Sequence, residues 1–180
     1  TLRLPSVGAT MTLLMAACCA MGTTVLRGAA CEPEVCDLAR FLCACGAQIT
    51  GAGTPVIVIQ GRRTLGGVLY TPIPDRIAAA TYGAAVAAAG GEITIEGCTP
   101  AYYQAFLQFL RDCGVQTALH ENAVTLLRDP QKKLRGGQQL YANAWPAFAT
   151  DTAPLAAAVL LEAEGASGIY DHLFANRVAC

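Results

Sequence analysis

A unit of about 70 residues recurs along this chain, and that repeat limits the folds open to it more than any other feature. An Ala-rich helical stretch ends at Gly22, and Thr23-Thr24-Val25-Leu26 follows as a strand. A second ends at Gly90-Gly91 ahead of Glu92-Ile93-Thr94-Ile95, and a third at Gly165 ahead of Ser167-Gly168-Ile169-Tyr170. Gly22 and Gly91 stand 69 residues apart, Gly91 and Gly165 74 apart. Further landmarks keep step. A helix from Pro33 to Cys45 stops at Gly46, and one from Pro100 to Cys113 stops at Gly114, 68 residues on; Gly66-Gly67 returns as Gly136-Gly137. Glycine just past a helix takes the left-handed conformation without strain. Proline near the first turn gives up an N–H that has no helical partner there.

The β-branched run Val56–Ile59 and the segment Ala123–Leu127 fill equivalent places as strands. Each unit therefore reads as βαβαββ, and the chain holds two units and the start of a third. The fold class is α/β, with helices predicted to end at Gly22, Gly46, Gly90 and Gly114. Val35, Leu38, Leu42 and Cys45 share one helical face, as do Tyr103, Phe106, Leu107 and Leu110 in the next unit. The first helix of each unit, Met11–Met21 and Ile77–Ala89, is apolar nearly all round and should be buried on most sides, so a unit needs neighbours to close its core.

With 54% hydrophobic and 14% charged residues, the chain is too apolar to be disordered. It is also unusually apolar for a soluble domain, which fits apolar surface meant to face partner segments. A net charge of −1 gives no electrostatic case for nucleic acid or an anionic membrane. The longest apolar runs fall short of the roughly 20 residues that span a bilayer. The start, Thr1-Leu2-Arg3-Leu4-Pro5, lacks a signal-peptide pattern and an initiator Met, as expected of a chain cut from something longer. Nine cysteines form no C-x-x-C pair, and neither His120 nor His172 completes a zinc spacing, so no metal is expected. They read as buried free thiols, and hence as a cytoplasmic protein.

One set of ordered segments carries a resemblance. Ser6-Val7-Gly8-Ala9-Thr10 opens the first helix, and Glu32-Pro33-Glu34-Val35 the second, continued by Asp37–Leu42. Gly51-Ala52-Gly53-Thr54 precedes a strand, Ile73-Pro74-Asp75-Arg76-Ile77 closes the first unit, Phe148-Ala149-Thr150-Asp151 opens the third, and Phe174-Ala175-Asn176-Arg177 ends it. In this order the chain resembles the UDP-N-acetylglucosamine 1-carboxyvinyltransferases, an enolpyruvyl transferase family, along nearly its whole length. The resemblance implies about two and a half of six βαβαββ units arranged as an inside-out α/β barrel. Residues 1–74 would be the last unit of one domain, and residues 75–180 one complete unit and the start of another in the second domain. It implies transfer of an enolpyruvyl group from phosphoenolpyruvate to the 3-hydroxyl of UDP-N-acetylglucosamine in peptidoglycan precursor synthesis, with no cofactor.

Asp151 then matches the carboxylate that meets the attacking hydroxyl; an N-cap is its other reading. Ser6, Val7 and Gly8 match a helix start that holds a phosphate of the nucleotide, or form an ordinary cap. Thr150 belongs to the same signature as Asp151. Leu173 and Phe174 match positions lining the sugar-nucleotide site, or are strand core. Glu32, Asp75 and Arg177 match charges near the cleft, or are structural ion pairs. The chain departs from the family at Leu4, where some members have Lys, at Ala78 and Ala175, which replace Glu, and at Pro154 in a helix start. None of the nine cysteines lies in the family's catalytic-loop motif. A non-catalytic fragment or degenerate paralogue that binds UDP-sugar is the alternative, with a shikimate-type transferase as a third reading. On its own, the chain should be inactive and should associate with missing segments of the same protein or with itself.

Overall fold

Ser6 starts the first helix by accepting a hydrogen bond from the Ala9 N–H on its Oγ at 3.3 Å. Helix α1 runs Val7–Cys18, followed by β1 (Thr23–Arg27), α2 (Pro33–Ala44), β2 (Gln48–Thr50) and β3 (Val56–Gln60). The computed structural model describes residues 1–174. They divide into two units, Thr1–Ile73 and a second beginning at Pro74. In unit 1 the sheet order is β1-β3-β2, with β3 antiparallel to both neighbours and Thr23↔Gln60 through Arg27↔Val56 in register. Leu14, Cys18, Leu26, Val35, Leu42, Ile57 and Ile59 form its core. Buried Asp37 on α2 accepts from Tyr70 Oη (2.7 Å) and Ile73 N (3.2 Å), which ties the end of the unit to α2.

Unit 2 repeats the plan. Asp75 caps α3 (Arg76–Ala89), its Oδ1 accepting from Ile77 N (2.8 Å) and Ala78 N (3.2 Å). Strand β4 (Gly91–Glu96) follows. A 3-10 turn over Pro100–Tyr103 then leads into α4 (Gln104–Asp112), β5 (Gln116–Leu119) and β6 (Ala123–Arg128). The order is again first, third, second, with Gly91↔Arg128 through Glu96↔Ala123 in register. The expected apolar face of α4 is there: Tyr103, Phe106, Leu107 and Leu110 are all buried. Helices α2 and α4 end alike. Ala47 N bonds Leu42 O at 2.9 Å over Gly46, and Val115 N bonds Leu110 O at 2.9 Å over Gly114, each with a buried apolar residue beyond the glycine.

The chain continues through β7 (Leu134–Arg135), β8 (Gln139–Ala142), α5 (Ala153–Leu161), β9 (Ala163–Glu164) and β10 (Gly168–Asp171). Strand β7 pairs in parallel with β9, and β8 with β10. Helix α5 packs against α3. Pro154 sits in the first turn of α5, where its missing N–H costs nothing.

Four expectations need correction. Helix α1 stops at Cys18 rather than Gly22, because a later segment takes over its last turn. Arg62 N bonds Cys18 O at 2.8 Å, and Gly61 N bonds Gly22 O at 2.9 Å. Helix α5 ends at Leu161 rather than Gly165, since Ala163–Glu164 pairs with β7 and Gly136 N bonds Glu164 O at 2.8 Å. The first helices are not buried all round. Helix α1 buries Thr10, Leu14, Ala17 and Cys18 and leaves Leu13 and Met15 exposed; α3 leaves Tyr82 exposed. No strand is assigned over residues 61–75, where the repeat predicts one.

The cysteine reading also narrows. The described cysteines are free, but only Cys18, Cys98 and Cys113 are buried. Burial, with Asp112 nearby, pushes the Cys113 thiol up to about 11. Among the described residues no helix is long and apolar enough to cross a membrane, and no group of His, Cys, Asp or Glu is placed to hold a metal ion.

Gly61 gives a direct check on how α1 ends. A Cβ there would lie 1.6 Å from Ala20 O and 2.7 Å from its carbonyl carbon, both backbone atoms that cannot swing aside. Gly61→Ala should therefore lower unfolding stability by about 1–3 kcal/mol, read from urea or thermal melts of the purified protein. An unchanged midpoint would mean that the α1 end and the residue 61 loop do not approach as described.

Candidate functional site

The residues singled out in the sequence fall in two places, one in each unit. In unit 2, the backbone of β8 continues to Asn143, which bridges to Ala149 and accepts from Thr150 N at 3.1 Å. This sets a 3-10 turn, Thr150–Thr152, just ahead of α5. Because β10 runs parallel to β8, its last residue, Asp171, arrives beside that turn. Asp171 Oδ2 accepts from Thr150 Oγ1 at 2.5 Å. Asp171 Oδ1 accepts from Leu173 N at 2.8 Å and Phe174 N at 2.9 Å. Thr150, Asp151, Leu173 and Phe174 are thus brought together. Leu173 and Phe174 lie past the end of β10 and are half-buried, so the strand-core reading does not describe them.

Asp151 does not cap α5. The cap position is Thr152, whose hydroxyl makes no capping hydrogen bond and donates instead to Ala149 O at 2.8 Å. The Asp151 carboxylate instead faces Arg76, with Oδ2 3.5 Å from Nη2. The Arg76 side chain is 4% exposed and that of Asp151 36%. One end of the pair is therefore out of water, while the carboxylate keeps access to it. Arg76 is the first residue of α3, where a cation opposes the helix dipole. Its burial there is sustained by the carboxylate it meets. Beside this pair an open cleft is lined by Arg76, Tyr102, Phe106, Trp145 and Pro146 among others. Trp145 Nε1 donates to Tyr102 O at 3.2 Å, which fixes the indole at the wall.

In unit 1, Ser6, Val7 and Gly8 form the first turn of α1. Thr10 Oγ1 donates to Ser6 O (2.8 Å) and accepts from Ala30 N (3.0 Å). That latch holds the loop ahead of α2 against the start of α1. Glu32, two residues further on, is 5% exposed. The N–H groups of Val7 and Gly8 have no intrahelical acceptor, and the space over Gly8 is open. Leu4 is 46% exposed and offers no charge there. Asp75 acts as the cap of α3. Arg177 and Ala175 lie outside the described residues.

A family model described as EPSP synthase (3-phosphoshikimate 1-carboxyvinyltransferase) matches residues 1–180. The chain belongs to the EPSP synthase family. Within that family, UDP-N-acetylglucosamine 1-carboxyvinyltransferase 1 of Symbiobacterium thermophilum is 44% identical over 176 residues, 98% of this chain and 39% of the relative. UDP-N-acetylglucosamine 1-carboxyvinyltransferase of Solidesulfovibrio magneticus is 44% identical over 173 residues, 96% of this chain and 41% of the relative. The solved enolpyruvyl transferase NikO from Streptomyces tendae superposes with a TM-score of 0.73 at 26% identity, covering 95% of this chain and 42% of that one. The fold is that of the enolpyruvyl transferases. The chain spans about two fifths of the length of the relatives it matches.

Sequence reasoning missed two residues at this candidate site. Asp171 follows a strand and precedes a turn, a position where an Asx side chain commonly accepts backbone N–H groups two and three residues on. In the sequence Arg76 stands out only as part of the Ile73–Ile77 segment that closes the first unit. An arginine opening an otherwise apolar helix, against the dipole, was the signal that it has an acidic partner.

Proposed function

We propose that the full-length protein transfers the enolpyruvyl group of phosphoenolpyruvate to the 3-hydroxyl of UDP-N-acetylglucosamine. The observation that carries this reading is the Asp151 carboxylate. It is anchored on one side by a buried guanidinium and open to water on the other, in a chain 44% identical over 98% of its length to a UDP-N-acetylglucosamine 1-carboxyvinyltransferase. The hydroxyl proton passes to the Asp151 carboxylate as the hydroxyl oxygen bonds to C2 of phosphoenolpyruvate. C3 takes up a proton to give a tetrahedral adduct. Loss of a C3 proton with inorganic phosphate then restores the double bond.

Leu173 and Phe174 form part of the wall against the nucleotide sugar, with Thr150 beside them. The first-turn N–H groups of Val7 and Gly8, beside the Ser6 cap, receive a phosphate of the UDP group, without the cation that Leu4 replaces. Glu32, Asp75 and Arg177 would be charges near the cleft. The acid for C3, and the cations for the phosphate and carboxylate of phosphoenolpyruvate, are assigned to the remainder of the full-length protein, which the exposed faces of α1 and α5 would meet. We place the enzyme in the cytoplasm, at the committed step toward peptidoglycan, and so in wall growth, cell shape and division.

Full-length protein should release inorganic phosphate from phosphoenolpyruvate with UDP-N-acetylglucosamine and not with shikimate 3-phosphate. Turnover with shikimate 3-phosphate alone would replace this reading by the shikimate-type one. Binding of the UDP-sugar without phosphate release would replace it by the non-catalytic one.

A further inference from the structure

We propose that Asp171 is a positioning residue that joins the proton acceptor to the wall of the sugar-nucleotide site; this rests on the reading of Asp151 given above. The Asp171 carboxylate divides its two oxygens between two segments far apart in sequence. Oδ2 receives the hydroxyl of Thr150, immediately before Asp151, at 2.5 Å. Oδ1 receives the N–H groups of Leu173 and Phe174 at 2.8 and 2.9 Å. Hydrogen bonds to a carboxylate are about twice as strong as neutral ones. Thr150 is 6% exposed, so an unbonded hydroxyl there would stay out of water.

The Thr150 hydroxyl is thus committed inward, and Thr150 serves the site through Asp171. The parallel pairing of β8 and β10 sets the approximate distance, while Asp171 fixes the last ångström. A 1 Å error at a reacting group costs on the order of a hundredfold in rate. One carboxylate therefore locates both the oxygen that takes the proton and the backbone against which the nucleotide sugar lies.

The two halves of this joint can be cut separately in the full-length enzyme. Thr150→Val cuts the link toward Asp151 and keeps the carboxylate that receives the Leu173 and Phe174 N–H groups. Its kcat should fall about tenfold, with KM for UDP-N-acetylglucosamine within about twofold of the parent. Thr150→Ser keeps the hydroxyl and should restore most of the loss. Asp171→Asn also presents an amide to the Leu173 and Phe174 N–H groups. It should lower kcat and in addition raise KM for UDP-N-acetylglucosamine about tenfold, leaving KM for phosphoenolpyruvate unchanged. The double variant should be no slower than Asp171→Asn alone.

Equal losses in Thr150→Val and Thr150→Ser would overturn the proposal. So would multiplicative losses in the double variant, or a KM for phosphoenolpyruvate that rises in parallel. If Asp171→Asn does not fold, the Val and Ser variants at Thr150 still decide the matter. The reading of Asp151 is tested apart from all these by Asp151→Asn. If that variant is impaired while Thr150→Val is not, the positioning role alone fails; if it turns over normally, the acceptor reading fails.

Discussion

Asp151→Asn in the full-length enzyme is expected to cut kcat on the order of a hundredfold while the protein melts within a few degrees of the parent. The argument starts from what asparagine keeps. Its carbonyl oxygen can still receive a hydrogen bond from Arg76, whose Nη2 lies 3.5 Å from the carboxylate, so the turn has no reason to rearrange. The amide cannot take a proton from a hydroxyl at working pH. The ground-state pocket survives and only the step that needs a base is lost. KM for the nucleotide sugar should therefore change little, the pattern of a group that acts in the transition state. Near-normal turnover would leave Asp151 as the counter-ion of Arg76 and nothing more. A large fall in melting temperature would assign it chiefly to the fold.

Full removal of the carboxylate should act on stability, and unequally for the two partners. Asp151→Ala leaves a guanidinium that is 4% exposed without the carboxylate it faces. Removing one partner of a buried ion pair costs about 3–5 kcal/mol in closed sites. Here the carboxylate is 36% exposed, so water reaches the pair, and about 2–3 kcal/mol is expected once that screening is allowed for. Arg76→Met strands only a carboxylate that can hydrate and fills the same space with apolar atoms, so it should cost about 1 kcal/mol or less. Adding Arg76→Met to Asp151→Ala should recover most of the lost stability. Urea unfolding of the four proteins tests this. Additive losses, or a larger loss for Arg76→Met than for Asp151→Ala, would show that the two side chains are not coupled.

Reading from sequence went well wherever the determinant was local. Gly46 and Gly114 marked the ends of α2 and α4 because the closing hydrogen bonds, Ala47 to Leu42 and Val115 to Leu110, span five residues. The buried face of α4 was written in the spacing of Phe106, Leu107 and Leu110. The sequence erred where a distant segment intervened. Gly22 and Gly165 looked like helix ends, but Arg62 and Gly61 take up the end of α1, and β7 with Gly136 takes up the chain after α5. Those pairings are backbone to backbone, and nothing in the side chains of α1 announces them. The site divides the same way. Asp151, Thr150, Leu173 and Phe174 are picked out by resemblance, whereas Asp171 and Arg76 make their contacts across 21 and 75 residues and stand out only once the strands are laid side by side.

The strand order of the two three-stranded sheets has a consequence for how the chain is made. In each, the central strand is the last to be synthesised: β3 lies between β1 and β2, and β6 between β4 and β5. The first two strands never pair with each other, so a nascent chain that has emerged only as far as Thr50 carries two strands with every ladder position unmet. No sheet pairing is available until Val56–Gln60 emerges to meet both of its neighbours, and in unit 2 until Ala123–Arg128 does so. A ribosome stalled before either segment would hold a polypeptide with open edges on two strands, the form most prone to pair with another chain and most in need of a chaperone.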